Sequence, residues 1–181
     1  AAVVHQHLRA KGVGLYLQEA VTAFRQTEDG IEVELRSGLV MQTDMVLLSI
    51  GVRPDARLAK AAGLEIGETG GIRVNEYLQT SDADIYAVGD AIEFLNPVSG
   101  RPALAFLAGP ANKQGRICAD NIVYGNQRKY KGSINTAIAK VFDLTVGSAG
   151  LSAKMLDRLR MPYREAIIHG ASHAGYYPGA I

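Results

Sequence analysis

The sequence predicts an α/β fold, in which helices cover a largely parallel sheet. Residues 45–50 (MVLLSI) and 85–88 (IYAV) are short apolar runs, which are typical of strands buried on both faces of such a sheet. Three helix-length segments end at Gly12, Gly63 and Gly125, and glycine is the residue that most often terminates a helix. Near the end of the chain, the predicted order strand, strand, helix, strand indicates an additional α+β unit.

The first fifty residues are predicted to form one helix followed by strands. Val4 and Leu8 are four residues apart, which places them on one face of a helix over residues 2–11. Apolar residues at 31, 33 and 35 alternate with charged ones, as in a strand with one buried and one solvated face. Asp29-Gly30 and Ser37-Gly38 are hairpin signals. Strands are therefore expected at 14–18, 21–27, 31–36, 39–43 and 45–50.

The middle of the chain is predicted to alternate strands and helices. A helix is expected over residues 56–62, and strands are expected over 72–74 and 85–88. Pro110 is predicted to occupy the first position of a helix that runs to about Tyr124, because proline lacks an N–H that would be unpaired there anyway. On that helix Cys118 is expected to share an apolar stripe with Ile122 and to act as a small hydrophobic residue.

The last third begins with a polar, charged segment, 126–132 (NQRKYKG), which is predicted to be a linker. Strands are expected beyond it at 137–142, 144–149 and 163–169. Between the last two strands, Ser152 is expected to cap a helix that runs to about residue 159, because a serine hydroxyl can accept a hydrogen bond from a free amide of the first turn.

The composition excludes several classes of function. A formal net charge of +1 gives no reason to expect a nucleic acid or an anionic membrane as a partner. The apolar run 45–50 is far too short to span a membrane. Cys118 is the single cysteine and cannot form an internal disulfide, so a reducing, cytoplasmic setting is expected.

The four histidines do not predict a metal site. His5 and His7 are two residues apart on the first helix, so their side chains point in different directions. His169 and His173 have the spacing of metal ligands only if they lie on a helix, and the intervening glycine and serine disfavour one.

Gly89 and Asp90 are the first candidate binding residues, because they follow the apolar run 85–88. Ligands of parallel sheets lie just beyond the carboxyl ends of the strands. A glycine there lets a ligand approach the backbone, and the carboxylate of Asp90 is an acceptor suited to the hydroxyls of a sugar or ribitol chain. The alternative is an ordinary strand followed by a Gly-Asp turn.

The helix that follows Gly109 is the second candidate. Its free N–H groups and positive dipole end favour an anionic group. The alternative is a helix that only packs, with its small residues allowing close contact with a neighbour.

Taken in order, these segments resemble the pyridine nucleotide–disulfide oxidoreductases, flavoproteins with two dinucleotide-binding domains. The resemblance rests on Gly51-Val52-Arg53-Pro54, Gly89-Asp90 and LAGPANKQGR at 107–116, together with KVFDLTVGSAGL at 140–151 and HAGYYPGA at 173–180. The last three segments are most similar to the branch that contains coenzyme A disulfide reductase, NADH oxidase, NADH peroxidase and persulfide reductases.

The resemblance implies the domain organisation. Residues 1–50 would be the second half of an NAD(P)-binding domain, and residues 51–127 the second half of an FAD-binding domain. Residues 128–181 would begin an α+β interface domain through which such enzymes form homodimers. The chain opens in the middle of a helix and lacks an initiator methionine, so it is expected to be a piece of a longer protein.

The resemblance also implies roles for individual residues. Asp90 would hold the flavin ribitol, Gly89 would be a further cofactor-binding residue, and Gly51 would lie beside the nicotinamide nucleotide. The backbone of Leu107 and Ala108 would lie near the isoalloxazine, and the helix after Gly109 would stabilise the negative charge of the reduced ring. Tyr176 or Tyr177 would reach the partner subunit's active site, near a coenzyme A-type thiol or disulfide.

Two family features are absent from this sequence, the G-x-G-x-x-G phosphate loop and a redox cysteine in its usual context. The 181 residues alone are therefore expected to be inactive and to bind FAD and NAD(P)H weakly. Three functions are open: a reductase of sulfur substrates, an NADH oxidase or peroxidase, and a non-catalytic scaffold or dimerisation module.

Overall fold

A computed structural model describes residues 2–170 and 174–179, and within these the chain forms four α-helices and three small sheets. In chain order the elements are α1 (Ala2–Ala10), β1 (Val21–Thr27), β2 (Gly30–Leu35), β3 (Val40–Thr43), α2 (Arg57–Ala61), β4 (Ile72–Arg73), a 3₁₀ turn (Gly89–Ala91), β5 (Ile92–Leu95), β6 (Pro102–Ala103), α3 (Ala108–Tyr124), β7 (Ala137–Val141), β8 (Leu144–Ser148) and α4 (Ala153–Leu159). No helix among the described residues is long and apolar enough to cross a membrane.

The predicted antiparallel meander is confirmed. The strands lie in the order β1-β2-β3, and both pairs are antiparallel. Val33 and Leu35 of the central strand are buried, as their alternation with charged residues predicted. Between β1 and β2, the Arg25 guanidinium lies 2.6 Å from the Glu34 carboxylate.

The main core lies between α3 and the sheet β4-β5-β6. In this sheet β4 and β5 are parallel and β5 and β6 are antiparallel. The core residues are Leu78, Ile92, Phe94, Ala105, Ile117, Cys118 and Tyr130. Helix α3 contributes a face of four buried residues, Gln114, Ile117, Cys118 and Asn121. The prediction that Ile122 shares this face is wrong, since 60% of it is exposed.

Four predicted strands, at 14–18, 45–50, 85–88 and 163–169, do not form in the described structure. In 45–50, Leu47 and Ile50 are 86% and 90% exposed, and in 85–88 a single antiparallel bridge joins Tyr86 to Gln79. An apolar run becomes a buried strand only where neighbouring strands pair with its backbone groups. The described residues supply such neighbours to neither run.

The segment 126–132, which is predicted to be a linker, is attached to the core at Tyr130, while residues 126–129 are exposed. The Tyr130 side chain is buried and meets Phe94 edge to face at 5.7 Å between ring centroids. The Tyr130 amide donates to the Glu76 carbonyl at 2.7 Å. A Cβ added at Gly132, whose φ is +82°, would lie 2.5 Å from the Leu95 carbonyl oxygen.

The predicted hairpin and helix near the end of the chain are confirmed as β7-β8 and α4. The hydroxyl of Ser152 caps α4 by accepting from the Met155 amide at 3.4 Å. The turn of the hairpin reaches back to α1, where Asp143 lies 2.9 Å from His7 Nε2 and 3.1 Å from Lys11 Nζ. The ammonium of Lys11 holds the pKa of the Asp143 carboxyl below its usual value.

Candidate functional site

The turn at Gly89–Ala91 is held against α3 by a buried side chain. Gly89 has a φ of +80°, a conformation that favours glycine. Its amide donates to Oε1 of Gln114 at 2.7 Å, and Gln114 is 1% exposed. A Cβ built at Gly89 would meet only the methyl group of Ala111, at 4.0 Å. The structure therefore brings the candidate pair Gly89-Asp90 to the first turns of α3.

Asp90 presents a carboxylate from this turn. The residue is exposed, and no hydrogen bond or ion pair found in the described residues engages its side chain. The neighbouring Asp82 differs, because its Oδ1 accepts from the Asp84 amide at 2.9 Å and so belongs to a local turn. Asp90 thus has its acceptor oxygens available to a ligand.

The amino-terminal end of α3 has no side-chain cap. Leu107 is the N-cap residue, with an extended backbone (φ −140°, ψ 133°), and its side chain accepts no capping bond. The helix begins at Ala108, so Pro110 occupies the third helical position rather than the predicted first one. Ala108 and Gly109 are exposed and have amides that lie before the first intrahelical donor. These amides and the helix dipole favour an anionic oxygen at this end.

The chemistry of this donor and acceptor set is compatible with a flavin. A carboxylate acceptor suits the hydroxyls of a ribitol chain, and uncapped amides at a helix terminus suit a ring oxygen that becomes negatively charged. Both groups lie at the same end of α3, and the buried Gln114 side chain joins their supporting segments.

The other predicted site residues lie in exposed segments. Gly51 has a φ of +93° and is exposed, and none of the hydrogen bonds in the described part of the chain joins it to α3. Tyr176 and Tyr177 are 83% and 56% exposed, with ring centroids 4.7 Å apart and a 42° angle between the rings.

Cys118 has the environment of a structural cysteine. It is buried in the core face of α3, and this burial raises the pKa of its thiol. A raised pKa leaves less thiolate, the form that reacts.

The described residues contain no cluster of three or more histidine, cysteine, aspartate or glutamate side chains that could hold a metal ion. His5 and His7 lie on α1, where His7 pairs with Asp143. Of the other predicted pair, His173 lies outside the described residues.

Sequence reasoning missed two features of α3. The first is the buried amide pair Gln114 and Asn121, seven residues apart, whose position on one face with the core residues Ile117 and Cys118 is a recognisable signal. The second is a basic pocket of about 410 Å³ on the helix, lined in part by Lys113, Arg116 and Arg128. Arg128 comes from a segment that the sequence predicted to be a linker, so the sequence did not predict that it would line a pocket with α3.

Comparison with known proteins supports the predicted family. Residues 1–112 match the family model described as pyridine nucleotide-disulphide oxidoreductase. The chain is 34% identical to an NADH oxidase of Methanocaldococcus jannaschii over 179 residues, which cover 99% of this chain and 39% of the relative. It is 35% identical to an NAD(P)H coenzyme A polysulfide/persulfide reductase of Pyrococcus horikoshii over 93% of this chain and 38% of the relative.

A solved structure shows the same fold. The crystal structure of reduced Bacillus anthracis CoADR-RHD superposes with a TM-score of 0.93 at 49% identity, over 99% of this chain and 32% of that one. The chain thus spans about two fifths of the length of the curated relatives that it matches. Because the family model covers more than half of the 181 residues, the chain belongs to the pyridine nucleotide-disulphide oxidoreductases.

Proposed function

We propose that this chain is part of an FAD-dependent NAD(P)H oxidoreductase that reduces coenzyme A disulfide, a persulfide or a related sulfur compound. The observation that carries the proposal is the Gly89–Ala91 turn, held by Gln114 against the uncapped end of α3. The names of the Pyrococcus and Bacillus proteins support the sulfur substrate. An NADH oxidase is the second candidate, because the M. jannaschii relative has that name.

In this proposal the flavin lies over the amino-terminal end of α3. Asp90 accepts hydrogen bonds from ribitol hydroxyls, and Gly89 allows the chain to approach its backbone. Leu107, Ala108 and Gly109 place backbone groups at the pyrimidine edge of the ring, where the amides stabilise negative charge. When bound, the flavin would accept electrons from NAD(P)H and pass them to a sulfur centre. Gly51 would lie beside the nicotinamide nucleotide.

The redox cysteine of the proposed enzyme lies outside this chain. Cys118 is unsuited to the role, because it is buried in the core and burial raises the pKa of its thiol. Tyr176 or Tyr177 would act near the substrate sulfur in the partner subunit of a homodimer, and their exposure is compatible with that role. We assign residues 1–50 to the NAD(P) domain, 51–127 to the FAD domain and 128–181 to the interface domain.

The test is anaerobic oxidation of NAD(P)H by the complete flavoprotein, with and without coenzyme A disulfide. The proposal predicts oxidation that depends on the disulfide, with Tyr177→Phe and Tyr176→Phe as the next variants. No turnover until oxygen is admitted would support the oxidase and contradict the sulfur substrate. The 181 residues alone are predicted to turn over neither substrate.

A further inference from the structure

Gln114 is a buried amide on the core face of α3. It is 1% exposed and shares this face with the core residues Ile117 and Cys118. An amide buried among apolar side chains is unfavourable unless its polar atoms find partners. The partner of Gln114 Oε1 is the Gly89 amide, which donates to it at 2.7 Å. No other hydrogen bond in the described part of the chain joins the Gly89–Ala91 turn to α3.

Asp90 is held through the residues on either side of it. The Gly89 amide is bound to Gln114, and the Gly89 carbonyl oxygen accepts from the Ile92 amide. Ile92 is 0% exposed and belongs to the core. Gly89 has no side chain that could pack against α3, so the hydrogen bond to Gln114 is the contact that fixes its backbone there.

The position of Gln114 requires a long, neutral acceptor. Long side chains on an α-helix point towards its amino-terminal end, which is where the Gly89–Ala91 turn lies. Asparagine would be one methylene shorter, lysine has no acceptor, and glutamate would bury a negative charge. Because Gln114 is neutral and the first turn of α3 has no acidic residue, the only carboxylate at this site is that of Asp90.

Tyr130 is a second polar neighbour of the Gln114 side chain. Burial raises the pKa of the Tyr130 phenol, and Gln114 lowers it by a smaller amount. The phenol oxygen is buried and forms no hydrogen bond of normal geometry among the described residues. The directional bond of Gln114 is therefore the one to Gly89.

We propose that Gln114 is a positioning residue for the flavin. Through the Gly89 amide it holds the Asp90 carboxylate where that group can accept from the ribitol hydroxyls. The inference rests on the proposed function, since it gives the flavin site a support that is itself buried. A carboxylate that is fixed before the ligand arrives needs less ordering on binding, so the support of Gln114 should strengthen FAD binding.

The test is a double-mutant cycle in the complete flavoprotein, stripped of flavin and titrated with FAD. Gln114→Met keeps the length of the side chain and removes the acceptor. We expect it to raise the Kd for FAD about tenfold, because the Gly89 amide loses its partner and Asp90 loses its fixed position. In the Asp90→Ala background the same substitution should change the Kd less than about twofold, since no carboxylate is left to position. Equal fold-changes in both backgrounds, or an unchanged Kd in Gln114→Met, would overturn the proposal.

Tyr130→Phe is the matched control. It removes the other polar group beside Gln114 and leaves the hydrogen bond to Gly89 in place. Its Kd for FAD should equal that of the wild type. An equal rise of the Kd in Tyr130→Phe and Gln114→Met would contradict the role of the Gly89 bond.

A measurement without flavin separates this inference from the proposed function. In the flavin-free protein, the Gly89 amide should exchange its hydrogen at least about tenfold faster in Gln114→Met than in the wild type, as measured by mass spectrometry of peptides that contain Gly89. Equal exchange would overturn the positioning role whether or not the protein binds FAD. A weaker affinity for FAD in Asp90→Ala but not in Gln114→Met would overturn only the role of Gln114. An unchanged Kd in Asp90→Ala would instead refute the assignment of the turn to the flavin, and with it the proposed function.

Discussion

Asn121 joins α3 to two other segments, and its replacement should destabilise the fold. The side chain is 1% exposed. Its Nδ2 donates to the carbonyl oxygens of Tyr77 at 2.9 Å and Arg128 at 2.8 Å. Its Oδ1 accepts from the amides of Gln127 at 3.2 Å and Arg128 at 2.8 Å. One side chain therefore satisfies four backbone groups.

We expect Asn121→Ala to lower the free energy of unfolding by about 2–4 kcal/mol. A hydrogen bond contributes about 1 kcal/mol net, and a buried group left unpaired costs about 1–3 kcal/mol. The value lies below the sum of four full penalties, because Gln127 and Arg128 are exposed and water can reach their backbone groups. Asn121→Asp should cost at least as much, since it turns both donor contacts into contacts between oxygen atoms.

Urea unfolding of the flavoprotein, followed by far-ultraviolet circular dichroism, measures this effect. With a urea dependence of about 1–3 kcal/mol per molar, the midpoint should fall by about 1 M or more. Asn126→Ala is the matched control, because Asn126 also makes two side-chain hydrogen bonds but is exposed. It should change the free energy of unfolding by less than about 1 kcal/mol. Equal effects of the two substitutions would refute the reasoning from burial.

Three further predictions concern single positions. Gly132→Ala should cost more stability in urea unfolding than Gly100→Ala: both have a positive φ, but only at Gly132 would the new Cβ lie 2.5 Å from a backbone oxygen. Cys118 should be alkylated at pH 8 at least about tenfold more slowly than an exposed cysteine, as measured by peptide mass spectrometry, because burial raises its pKa; equal rates would contradict its burial. The hydrogen bond from the Arg57 side chain lowers the pKa of Asp55 from 3.8 to about 2, so the stabilisation by this pair is present above pH 3.8 and is lost as the pH falls through about 2. In Arg57→Gln, the pKa of the Asp55 carboxyl should rise towards 3.8 and stay below it, because the backbone amide of residue 57 still donates to Oδ1. An unchanged titration would show that another group lowers the pKa.

The parts of the fold that sequence predicted well are those with local signals. The alternation of apolar and charged residues predicted β2, and hairpin dipeptides predicted the turns on either side of it. Ser152 predicted the start of α4. The resemblance assigned both Gly89-Asp90 and the start of α3 to the flavin, and in the structure the Gly89 amide donates to Gln114 of α3. For β2, its turns and the start of α4, the deciding interactions lie within a few residues or between consecutive elements.

The failures at 45–50 and 85–88 have one physical cause. A continuous apolar run indicates that a segment is suited to burial. The segment becomes a strand only where neighbouring strands form hydrogen bonds with its backbone. The chain covers 39% of its M. jannaschii relative, and its described residues do not supply those neighbours. The basic pocket was not predicted for a different reason. Arg128 lies beside α3 through non-local contacts, in which Asn121 bonds its backbone and Asp120 pairs with its side chain.

The flavin affinity of Asp90→Ala tests the central claim most directly. The complete flavoprotein should be stripped of flavin and titrated with FAD, in parallel with Asp90→Ala and the control Asp84→Ala, which removes an exposed carboxylate six residues earlier. We predict a Kd for FAD at least about tenfold higher in Asp90→Ala, from the loss of charge-assisted hydrogen bonds to hydroxyls, and an unchanged Kd in Asp84→Ala. An unchanged Kd in Asp90→Ala would contradict the assignment of this turn to the flavin.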